Sequence, residues 1–126
     1  MPALPWVQGQ AVEPEREYVA MATRLPLRAY RFIPGFLRDT LRVRRQLARS
    51  DGLVGYALNA QLARKTFWTF SVWVDRASLE AFAGAEPHRS VIQRLRPRMK
   101  DTRFEFFTVS GTGIPSTWDQ RMAPVR

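Results

Sequence analysis

Between Phe67 and Val74 apolar side chains fall on both sides of one extended stretch. Phe67, Thr69, Ser71 and Trp73 alternate with Trp68, Phe70, Val72 and Val74, because successive side chains of a strand point to opposite faces. A strand that is apolar on both faces needs cover on both. The pattern predicts that the chain's own helices cover one face. The other is expected to line a cavity closed by a second subunit.

The remaining pattern places the other elements around this strand. Tyr18–Leu27 reads as a strand that ends or becomes an edge at Pro26, which cannot donate a ladder bond. Pro34 and Gly35 lead into a helix over Phe36–Ser50. Its apolar face is read as Phe36, Leu37, Thr40, Leu41, Leu47 and Ala48, and Asp51-Gly52 closes it. Leu53–Leu62 is a second strand, joined to the aromatic one as a hairpin through the basic turn Ala63–Lys65. Asp75 is placed to cap a helix over Arg76–Gly84, and Pro87 opens a helical stretch to about Leu95, broken by Pro97. Arg103–Ser110 is the last strand.

Strand, helix, strand, strand, helix, strand is the split βαβ order of a ferredoxin-like α+β fold with an antiparallel sheet. Residues 17–110 form that domain. Residues 1–16 read as an extended arm, and residues 111–126 as a tail or a strap across a neighbour. Helices on one side leave the other side of the sheet open, lined by Phe104, Phe106 or their alternates. An apolar face of that size predicts a symmetric homodimer.

Composition narrows the chemistry. The 126 residues include no cysteine, which removes disulfides, thiolate nucleophiles and cysteine-ligated clusters. The single histidine and the absence of clustered carboxylates predict no metal site, and no cofactor is expected. There is no membrane-length apolar run and no signal-peptide pattern, so a cytoplasmic protein is expected. The net charge of +9 would attract anions, nucleic acid included. No nucleic-acid motif accompanies it. Arg38, Arg42, Arg45 and Arg49 repeat at i, i+4, i+7 and i+11, the spacing of a solvated helix face. Arg44 falls instead inside the apolar face, which predicts partial burial beside an acidic partner.

The run from Phe67 to His88, F-W-T-F-S-V-W-x-D-x-x-x-L-x-x-F-x-x-x-x-P-H, resembles the core signature of the antibiotic biosynthesis monooxygenase superfamily. GLVGYALNA (Gly52–Ala60) and REYVAMATRLPL (Arg16–Leu27) extend the resemblance to about residues 16–110. It implies a dimeric α+β barrel. It leaves activity open between cofactor-free oxygenases, haem enzymes, isomerases and binding domains. Within the haem-degrading branch the ligand histidine would fall at Ile92 and a helix tryptophan at Phe82, so this chain departs from that pattern.

Three residues are candidates for catalysis. His88 opens a helix, where the dipole and partial burial both favour the neutral base. Trp73 can stack on a flat ring and donate its indole N–H. Asn59 can hold an enolate oxygen. Ser71, Phe67, Tyr56, Phe104, Phe106 and Arg24 join Trp73 as candidate ligand-binding residues. Each has a plain structural role as its alternative: a packed helix anchor for His88, a core plug for Trp73, an edge amide for Asn59. The expected function is a cofactor-independent monooxygenase acting on a flat aromatic or polyketide-like molecule. The competing readings are a non-catalytic domain for a small hydrophobic ligand or haem and, third, a basic nucleic-acid module.

Overall fold

β-branched and aromatic runs, punctuated by Pro, Asp and Gly, form five strands in the computed structural model, which describes residues 3–126. They are β1 (Ala3–Gln8), β2 (Glu17–Pro26), β3 (Leu53–Gln61), β4 (Thr66–Trp73) and β5 (Arg103–Ser110). All neighbours are antiparallel, in the order β1-β3-β4-β2-β5. Helix α1 (Ile33–Ala48) joins β2 to β3, while α2 (Arg76–Gly84) and α3 (His88–Leu95) join β4 to β5. Strands β2 to β5 with these helices are the expected ferredoxin-like α+β unit. The arm adds to it: Ala3–Gln8 pairs with β3 as an edge strand.

The β3–β4 hairpin turns through Leu62–Arg64 and Lys65, which adopts a left-handed conformation at φ 55°. Asp75 caps α2 as predicted, accepting from the Ser78 N–H at 2.8 Å. Helix α1 is rotated from the expected face. It buries Phe36, Asp39, Gln46 and Leu47. Leu37 and Leu41 are 40% and 54% exposed. Phe36 stacks on Phe67 of β4 with ring centroids 4.1 Å apart. Asp39 and Gln46 can be buried because distant groups satisfy them: Arg94 reaches Asp39 at 2.8 Å, and the Gln46 amide donates to the Phe82 carbonyl at 2.9 Å. Arg44 is half-buried, as predicted, but its partner is the Tyr56 hydroxyl at 3.3 Å and not an acid.

The sheet face turned away from these helices is covered by the chain itself. Tyr18, Ala20, Val54, Phe70 and Val72 pack there against Trp6, Val12, Ile114 and Trp118. Ala22 and Trp68 pack against Met122 and Val125. The C-terminal segment is therefore a strap across its own subunit, built on the short helix α4 (Trp118–Met122), whose N-terminus is capped by Thr117. Buried Arg121 pins it, with its guanidinium 5.2 Å from the Trp6 ring centre, 5.1 Å from that of Trp118 and 5.9 Å from that of Phe70. From β5 it is Phe107 and Val109 that reach this covered face. Phe106 packs on the helix side, and Phe104 is 60% exposed beside it. The open face expected to need a second subunit is closed from within. Among the described residues, no helix is long and apolar enough to cross a membrane.

Candidate functional site

Alternation along three strands sends Met21, Thr23, Leu58, Thr69 and Ser71 toward α1 and α3. Between those strands and the two helices lies a cavity of about 160 Å³. Phe36, Val43, Phe82, Val91 and Ile92 form part of its remaining apolar wall. Polar groups reach it at separate points: His88 from α3, Arg44 and Asp39 from α1, Tyr56 from β3 and the Thr23–Thr69 pair on its floor. The cavity therefore lies within one subunit, between helices and sheet, and not on the side away from the helices.

His88 is fixed on every side but one. Its backbone N–H donates to the Gln46 side-chain carbonyl at 2.9 Å, and its ring packs 4.8 Å from that of Phe82. Nδ1 lies 2.9 Å from the Ala83 carbonyl. A carbonyl only accepts, so Nδ1 carries the proton and Nε2 keeps its lone pair in the neutral ring. No described residue hydrogen-bonds Nε2. Burial pushes the imidazole below its ordinary value, and the bond to Ala83 partly offsets this.

Tyr56 sits opposite on β3. Its hydroxyl oxygen accepts from Arg44 Nε, so its own proton is free to donate. Thr23 and Thr69 share a hydrogen bond across the β2–β4 pair. Ser71 accepts from the Trp73 indole at 3.0 Å, leaving the serine proton free. Asp39 also reaches the cavity, but its charge is met by Arg94 at 2.8 Å and Arg42 at 3.8 Å.

The structure brings His88, Tyr56 and Ser71 to one cavity and separates the other candidates from it. Trp73 is 0% exposed, stacked 5.1 Å from Phe82 as part of the core below the cavity. Phe67 is likewise fully buried under Phe36. Asn59 pairs in register with Trp68, on the face covered by the strap, so strand parity carries it away from His88. Arg24 shares that face and stacks over Trp68 at 5.9 Å. Phe106 lies under the Arg76 guanidinium at 4.1 Å, outside the cavity wall, and Phe104 is on the surface. Asp39 and Gln46 were not anticipated, since a polar residue on an arginine-rich helix carries no sign of burial. Their spacing with Phe36 and Val43, at i+3, i+7 and i+10, is the one available signal.

The solved structures that share this ferredoxin-like fold include several antibiotic biosynthesis monooxygenase-like proteins. SnoaB, a cofactor-independent oxygenase from Streptomyces nogalater, is 18% identical with a TM-score of 0.61, over 79% of this chain and 99% of that one. A proposed antibiotic biosynthesis monooxygenase from Deinococcus radiodurans is 14% identical with a TM-score of 0.64, over 79% and 98% of the two chains. A proposed monooxygenase from Fusobacterium nucleatum reaches a TM-score of 0.68 at 11% identity, over 90% of this chain and 55% of that one. At these identities the likeness is one of fold. No protein-family model matches the chain, and no curated protein matches it.

Proposed function

We propose that the chain is a cofactor-independent monooxygenase of flat, phenolic or enolic aromatic molecules, with its site in the α1–α3 cavity. One observation carries the reading: the sole imidazole is held neutral at the cavity wall, with Nδ1 committed to Ala83 and Nε2 uncommitted. That is the state a general base requires. The presence of a cofactor-independent oxygenase among structures of this fold supports it.

The chemistry is carried by the substrate. Nε2 of His88 takes the phenolic proton, and the Tyr56 hydroxyl donates to the oxyanion left behind. The electron-rich ring carbon of the phenolate then bonds to dioxygen, and the imidazolium returns the proton to give a hydroperoxide. Loss of the proton on that carbon breaks the O–O bond and releases water. One oxygen atom stays as a new carbonyl and the other leaves as water, so no external reductant enters. An apolar wall keeps bulk water from the anion.

Self-pairing stays part of the proposal in altered form. With the strap over one sheet face, a second copy is assigned to the free edge of β5 beside the exposed Phe104.

The test is oxygen uptake in a closed cell containing a chelator and no flavin. A panel running from resorcinol and the hydroxybenzoates to anthrone is offered with ¹⁸O₂. Acceleration by the protein, with one labelled oxygen in product and one in water, and its loss in His88→Ala, is the expected result. If no phenol in the panel is accelerated, the reading fails.

A further inference from the structure

Arg44 is a half-buried cation on the wall of an apolar cavity, and no described carboxylate answers it. Placing a charge in such surroundings is costly unless something compensates it. Its one hydrogen bond uses Nε, toward the neutral Tyr56 hydroxyl. The two terminal nitrogens, which form the fork that pairs with a carboxylate, bond to no described residue. Asp39 does not serve as the missing partner, because Arg94 and Arg42 already hold it. Two arginines thus hold the one carboxylate on this wall, and Arg44 has no described acid of its own.

The size of the cavity sets the other half of the ligand. A dry apolar cavity of roughly 150 Å³ takes up benzene. The cavity here, about 160 Å³, matches one aromatic ring and is short of the few hundred Å³ usual for larger ligands.

We propose that the cavity selects a single-ring aryl carboxylate, with the ring between α1, α3 and the sheet and the carboxylate on the free fork of Arg44. This rests on the cavity assigned above and narrows its substrate class from flat aromatics in general to hydroxylated one-ring acids. Arg44 is then a specificity-determining residue. A neutral ring of the same shape leaves its cation without a counter-charge, and a fused second ring exceeds the space.

Calorimetric titration of the full chain with benzoate, benzamide and 2-naphthoate tests this without turnover. Benzoate should bind about ten-fold or more tighter than benzamide, the effect of one charge-assisted contact. It should also bind tighter than 2-naphthoate. Arg44→Met should abolish the preference for benzoate over benzamide, and Arg44→Lys should restore part of it. Circular dichroism and a melting curve establish that each variant is folded. If Arg44→Met does not fold, Arg44→Lys and the ligand series on the unmodified chain decide. Equal affinity for benzoate and benzamide, a preference that survives Arg44→Met, or no binding of benzoate overturns the inference. Selective benzoate binding with no oxygen uptake by any hydroxybenzoate would defeat the oxygenase reading alone. Oxygenation of neutral phenols without acid preference would defeat this inference alone.

Discussion

The Nδ1–H of His88 donates to the carbonyl of Ala83, five residues back across the α2–α3 junction, at 2.9 Å. That bond fixes the tautomer and leaves Nε2 as the ring's only acceptor. Replacing His88 by alanine should therefore lower kcat by about 10²–10⁴-fold, the usual worth of a positioned base. His88→Gln should be nearly as slow, since an amide does not take up a proton at neutral pH. Equal turnover in a folded His88→Ala protein would leave the imidazole a helix anchor and nothing more.

The same histidine makes stability depend on pH. Its folded value lies below the unfolded one, about 6.5, because burial penalises the charged ring. The unfolded chain therefore binds more protons in the window between the two values. Stability should be full above about pH 6.5 and fall as pH drops through that window. The exposed carboxylates of Asp75 and Glu86 are also lowered, but they act in the separate acidic range below about pH 4.5. Urea melts of the unmodified chain and His88→Gln between pH 5 and 8 measure the difference. The slope across that range should flatten in the variant.

The rotation of α1 predicts an inversion of hydrophobic logic. Leu37 and Leu41 are largely exposed, so Leu41→Lys should change stability by no more than about 0.5 kcal/mol. Phe36→Ala should cost about 3–5 kcal/mol, because its ring is buried on Phe67. Denaturant midpoints of the two variants suffice. A larger loss from Leu41→Lys would restore the face read from hydrophobicity alone.

Gly55 gives a test of the covered face. A Cβ there would stand 2.1 Å from Cζ2 of Trp6, so the indole must move. Trp6 also lies beside Phe70 and the buried Arg121, which couples the shift to the strap. Gly55→Ala should cost about 1–3 kcal/mol. Limited proteolysis should then cut first in residues 111–126.

Removing the strap should do more than loosen it. A chain ending at Ser110 loses Ile114, Trp118, Met122 and Val125, which uncovers Ala22 and Trp68 and thins the cover that Trp6 and Val12 still give Phe70 and Val72. An apolar face of that extent drives association. Light scattering should show the truncated chain at higher mass than the full one at equal concentration. An unchanged mass with unchanged stability would mean that the strap covers nothing of consequence.

Much of this was legible in the chain. The order of elements, the β3–β4 hairpin and the Asp75 cap follow from local patterns of two to four residues, which short-range physics decides. The inward face of α1 did not, because Asp39 and Gln46 owe their burial to Arg94, Phe82 and His88, tens of residues away in sequence. Hydrophobicity alone placed Leu37 and Leu41 inside. The terminal segments were also opaque: their contacts come from scattered Trp6, Trp118, Met122 and Val125, which follow no helical or strand period. Parity along β3 already implied that Tyr56 and Asn59 diverge. Which of them would meet His88 depended on which face the helices chose.

The two-sided strand β4 has a further consequence. Its odd-numbered positions, Phe67 to Trp73, face the cavity and its surrounding core, and its even-numbered positions, Trp68 to Val72, face the strap. Cavity lining and self-closure are therefore written on alternate letters of one eight-residue word. Substitutions at Thr69 or Ser71 can reshape the cavity while the clasp on the far side keeps its fit. An insertion of one residue would swap the two scripts and spoil both.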